Sequence, residues 1–151
     1  MGSKRQVLVT AIVLAMFLAC AHPSKEPGKV VVTDTTTEIL DPVSFIPGTA
    51  DLEPRSLPIL DTVASTLQGN PSILEVEVQS HTDERGDDDV NLKLSEQRAQ
   101  VVMKYLVDKG VAQSRLTAQG YGETQPIDPA QTPAAWVKNE RIAFLILKRR
   151  D

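Results

Sequence analysis

Nine residues, ILEVEVQSH from Ile73 to His81, constrain the fold more than any other stretch. Side chains in a strand alternate between two faces. Leu74, Val76 and Val78 therefore point one way, and Glu75, Glu77 and Gln79 the other. A strand wrapped on both sides by helices reads as a continuous apolar run, and this one does not. It has one face to bury and one to leave wet. The expected fold is α+β in two layers, with helices packed on one side of a mixed β-sheet.

The flanking segments supply those helices. Ser56–Gly69 carries Leu60, Val63, Ala64 and Leu67 at helical spacing, with Ser56 as the expected N-cap, Pro58 in the first turn and Gly69 as the stop. A second helix is expected from about Asp89 to Lys109, with Leu94, Val101, Val102, Tyr105 and Leu106 as its core stripe. RLTAQGYG (Arg115–Gly122) and ERIAFLILK (Glu140–Lys148) read as further strands, the latter apolar enough to be central or covered. Val30–Thr33 and Thr37–Leu40 read as an edge hairpin and Pro42–Ile46 as a short strand. A helical turn is expected at Ala134–Lys138. Aromatic residues make up only 4% of the chain, so the core must be aliphatic.

Residues 1–19 read as a signal peptide. Lys4 and Arg5 precede an uncharged apolar run from Val7 to Ala19, which is short for a bilayer span of about 20 residues. Cys20 is the only cysteine, so no internal disulfide is available. Residues 20–29 are then a polar linker, and the domain occupies 30–151. Cleavage after Ala19 removes two of 16 basic residues and none of 20 acidic ones, leaving 14 against 20. A surplus of acid argues against a nucleic-acid partner, which needs a basic face.

Chemistry concentrates between His81 and Arg98. A metal site is not expected: His81 has no second histidine at ligand spacing, and Asp87, Asp88 and Asp89 suit a helix start. Catalysis is not expected either. There is no Gly-x-Ser-x-Gly elbow and no cysteine in the folded part to serve as nucleophile. No cofactor is implied. What remains is a pair of opposite charges. Asp83 follows the strand end, and Asn91 and Arg98 stand almost two turns apart on one helix, with Leu94 and Ser95 between them. Either Asp83 and Arg98 pair with each other, or they grip a ligand that carries both an ammonium and a carboxylate. Glu84 and Arg85 read as solvated loop charges.

The run SHTDERGDDDVNLKLSEQRAQVVMKYLVDKGVAQSRLTAQGYGETQPI closely resembles the OmpA-like peptidoglycan-binding domain, also found in peptidoglycan-associated lipoproteins. His81-Thr82-Asp83, Asn91, Leu94-Ser95, Arg98-Ala99 and Gly120-Tyr121-Gly122 carry the resemblance, with Ser44-Phe45 at its start and Asn139 and Arg141 at its end. It implies peptidoglycan as partner, gripped at the diaminopimelate of a stem peptide by Asp83 and Arg98. Asn91, Phe45, Ser44, Thr82, Leu94 and Arg141 fall on the family's supporting positions. FLAC resembles a lipobox, which implies lipidation at Cys20. Ala21 after it is consistent with the outer membrane. The implied function is a tether between that membrane and the cell wall. The chain departs from the family at Ser80 (usually Gly), Ala135-Trp136 (usually Gly-Arg) and Glu140 (usually Arg), the last reversing a charge. Glu140 and Trp136 motivate an alternative, a periplasmic adaptor with a degraded wall site that binds a protein partner, for which an envelope protein is the candidate.

Overall fold

A computed structural model describes the backbone of residues 30–32, 36–39 and 42–150, and the side chains of 42–150. The expected signal peptide, Cys20 and the linker lie outside the described residues, as does the turn between the first two strands.

The described residues form strands β1 (Val30–Val32), β2 (Thr36–Ile39), β3 (Ile73–His81), β4 (Leu116–Gly122) and β5 (Arg141–Arg149). Helices α1 (Leu57–Gly69), α2 (Asp88–Asp108) and α3 (Pro133–Asn139) intervene. The sheet runs β1-β2-β5-β3-β4. Only β3 and β4 are parallel, and α2 makes the crossover that a parallel pair requires. The expected two-layer α+β fold is observed: helices on a mixed sheet.

Leu60, Val63, Ala64 and Leu67 of α1 are all buried, and they meet Val76 and Val78 of β3, Val102 and Leu106 of α2 and Phe144 of β5 in one core. Burial of each large aliphatic side chain contributes roughly 1.5–3 kcal/mol. β5 is central, but it alternates: Phe144 and Ile146 are buried while Leu147 is exposed. Arg115 ties this end together by donating to the carbonyls of Leu67, Asn70 and Ile73.

Four local expectations are corrected. Ile73, not Leu74, enters the core, because the β3–β5 register shifts between Ile73 and Glu75 and resets the alternation. Pro42–Ile46 is not a strand. Among the described residues its only ladder contact is an isolated bridge from Phe45 to Leu52. Ser56 is not a side-chain cap. Its hydroxyl is buried, accepts from the Ser44 N–H at 2.7 Å and donates to the Ser44 carbonyl at 2.9 Å, pinning the 42–46 segment to α1. Finally, the α2 stripe is correct only in its second half. Val102 and Leu106 are buried, Leu94 and Tyr105 only partly, and Val101 is at the surface. The buried face of the first half is polar instead: Asn91, Ser95 and Arg98.

Candidate functional site

That polar half of α2 borders the end of β3. The pairing there is bulged: Ser80 lies opposite Gly120 but His81 opposite Gly122, so Tyr121 is an extra residue. The Thr82 N–H closes the strand on the Gly122 carbonyl at 2.9 Å. Asp83 thus leaves the sheet at its margin. Gly86, at a φ of 109°, turns the loop, and Asp87 caps α2 by accepting from the Val90 N–H.

A cleft of about 720 Å³ opens at this margin. Ser44 and Phe45 form one wall and Thr82 and Asp83 another, while Asn91, Leu94 and Arg98 come from α2 and Arg141 from the start of β5. All eight binding positions expected from the sequence line this one cleft.

Asp83 and Arg98 do not pair with each other. The Asp83 carboxylate is nearly buried and receives a two-pronged contact from Arg85: Nε to Oδ1 at 3.0 Å and Nη2 to Oδ2 at 2.7 Å. The Arg85 N–H adds a third bond at 2.9 Å. These bonds from Arg85 hold the Asp83 carboxyl below the usual carboxylate range. Arg98 is buried. Its Nε donates to the Thr49 carbonyl at 2.9 Å and its Nη1 to Glu140 at 2.8 Å. The Phe45 ring lies over its guanidinium, 4.8 Å from centroid to Cζ. Asn91 donates to the Asp83 and Arg85 carbonyls and to Glu123, so it fixes the loop backbone behind the acid. Arg141 donates to the Asn139 and Gln125 carbonyls.

Sequence reasoning missed two participants. Arg85 is not a purely solvated charge, since it sits on Asp83. Glu140 is the counter-ion of Arg98. The first is a contact between near neighbours and was open to discovery from the pattern Asp-x-Arg. The second joins residues 42 apart and left no periodic signal. Trp136 anchors its surroundings, as its indole N–H donates to Glu84 at 3.2 Å and its ring carries Arg85 at 4.5 Å.

His81 is 1% exposed, stacks on Tyr121 at 5.2 Å, and its ring nitrogens find no protein partner among the described residues. Burial, then the nearby charge of Arg141, pushes its pKa from 6.5 to about 4. The folded state therefore resists protonation that the unfolded chain accepts. Stability is complete above pH 6.5 and falls as pH drops toward 4, by about 3 kcal/mol at most. Urea melts at pH 7 and pH 4.5 should show this loss, and His81→Gln should remove most of it. An equal pH dependence in the variant would refute the assignment.

Residues 44–140 match the OmpA family. The chain is 36% identical over 93 residues to the peptidoglycan-associated lipoprotein of Pseudomonas aeruginosa, covering 62% of this chain and 54% of that protein. It is 35% identical over 105 residues to the peptidoglycan-binding protein ArfA of Mycobacterium tuberculosis, covering 70% of this chain and 32% of ArfA. It thus spans about half or less of the length of these relatives. Among solved structures, it resembles the peptidoglycan-associated lipoprotein of Burkholderia pseudomallei with a TM-score of 0.58 and 27% identity, over 70% of this chain and 86% of that one. The match covers α1, β3, α2, β4 and α3 with most of the residues that line the cleft, and on it this chain belongs to the OmpA family.

Proposed function

We propose that the domain binds peptidoglycan without covalent chemistry, holding the diaminopimelate of a stem peptide by its free ammonium and carboxylate. One observation carries the reading: a single cleft presents a buried acid, Asp83, and a buried base, Arg98, that are not spent on each other. The names of the Pseudomonas and Mycobacterium relatives support the wall as the target. Asp83 would accept the ammonium, and two N–H groups of Arg98 would fork onto the carboxylate. Ser44, Phe45, Thr82, Asn91, Leu94 and Arg141 would shape the cleft around them. In the same reading the signal peptide is removed, Cys20 carries lipid in the outer membrane, and residues 21–29 span at most about 30 Å. The protein is then a tether, with no reaction to catalyse.

The test is sedimentation with purified diaminopimelate-type peptidoglycan. The soluble domain should pellet with it and stay in solution without it. A domain that remains in the supernatant would defeat the wall-binding reading. The anchor is read by palmitate labelling of the full chain in cells, which Cys20→Ser should abolish. One observation favours a second reading, the adaptor for an envelope protein: Glu140 already occupies Arg98. An adaptor would fail the sedimentation test.

A further inference from the structure

Both charged seats of the cleft are taken by the chain's own side chains. Arg85 sits on Asp83, and Glu140 sits on Arg98. The two pairs share an asymmetry. The Asp83 and Arg98 side chains are 9% and 3% exposed, but those of Arg85 and Glu140 are 59% and 48% exposed. The inner partners are fixed by packing, and the outer ones are solvated and can leave.

The outer partners also form a unit. The Glu140 carboxylate acts on Arg85 as well as on Arg98, so four charges alternate in sign around the mouth. Trp136 joins them: Arg85 lies on its ring, and the Glu140 N–H donates to its carbonyl at 2.9 Å. The loop after β3 and the end of α3 therefore meet across the opening.

We propose that Arg85 and Glu140 are a built-in competitor, a guanidinium and a carboxylate that occupy the seats of the ligand's ammonium and carboxylate and so set the affinity of the cleft. The inference rests on the zwitterionic ligand proposed above. As that ligand enters, its ammonium replaces Arg85 on Asp83 and its carboxylate replaces Glu140 on Arg98. The displaced side chains carry opposite charges and compensate each other on the surface. A ligand bringing both charges displaces both partners in balance. One bringing a single charge leaves the other seat filled. Apparent affinity is reduced by the fraction of molecules whose seats are open.

The experiment is calorimetric titration of the soluble domain with free meso-diaminopimelate, in the wild type, Glu140→Gln and Arg85→Gln. Both residues are exposed, so the variants should fold. Each should bind about tenfold more tightly than the wild type, as expected where the seat that the variant frees is open in roughly a tenth of molecules. Trp136 is the only tryptophan, and its fluorescence should shift as wild type saturates because Arg85 leaves its ring. A variant that binds no tighter than the wild type overturns the competitor while leaving the ligand in place. Absence of binding in the wild type and in both variants overturns the ligand, and the competitor with it.

Discussion

Gly120→Ala is expected to cost about 3 kcal/mol, the upper part of the range for overpacking a tight interior. A Cβ at this position would lie 2.2 Å from the Glu96 nitrogen, 2.5 Å from the Ser95 hydroxyl and 2.7 Å from the Glu96 Cα. Two of those three atoms are helix backbone, which cannot rotate away as a side chain could. Relief requires α2 to move off β4. Such a shift would also disturb the bond from the Gly122 N–H to the Ser95 hydroxyl, 2.9 Å long and buried. It would move Asn91 and Arg98 as well, because they ride on the same helix. Thermal unfolding followed by circular dichroism should fall by about 10 °C. Gly69→Ala is the control, since Gly69 is helical with nothing within 4 Å of an added Cβ, and it should be neutral or slightly stabilising. Equal melting of the two variants would show that α2 and β4 are not in this contact.

Contacts between segments remote in sequence decide what could and could not be read from the sequence. The bounds of β3 were legible because alternation is a local signal and nine residues repeat it. Its first core residue was not, because a register shift set by β5, some 70 residues away, moved the phase from Leu74 to Ile73. The second half of α2 was legible as an apolar stripe. The first half was not, because its buried face is polar. Asn91, Ser95 and Arg98 are buried against loop carbonyls, a carboxylate and β4, partners that no helical periodicity predicts. Ser56 departs from its expected role for the same reason. A serine before a helix suggests a cap, yet its hydroxyl serves a backbone 12 residues earlier. At the cleft, the acid and the base could be named from the sequence, but not their partners. Arg85 is two residues from Asp83 in sequence and Glu140 is remote from Arg98, and only the fold makes them equivalent outer members of two ion pairs.

Arg98→Ala is expected to lose peptidoglycan sedimentation entirely and to lower stability by about 2–3 kcal/mol, and the two effects have separate causes. The stability loss follows from burial. Arg98 is 3% exposed, tethers the 45–52 segment through the Thr49 carbonyl, and carries the Phe45 ring. Its removal opens a hole and strands a carbonyl, the mechanisms behind large single-residue effects. Glu140 adds little to this cost, because its half-exposed carboxylate is rehydrated. The binding loss follows from the fork. Arg98→Lys keeps the charge and much of the volume, but one ammonium cannot reach the Thr49 carbonyl and also present two parallel N–H groups to a ligand. It should recover part of the stability and little of the binding. Asp83→Ala gives the complementary separation. It too should abolish sedimentation, yet its partner Arg85 is exposed and returns to solvent, so its thermal stability should drop less than that of Arg98→Ala. If Arg98→Lys pellets with the wall as wild type does, a point charge suffices and the fork assignment is wrong. If Asp83→Ala pellets normally, the ammonium seat is elsewhere. Loss of binding in Asp83→Ala at near-native stability would separate ligand recognition from folding, because the acid holds only exposed groups while the base holds the wall of the cleft.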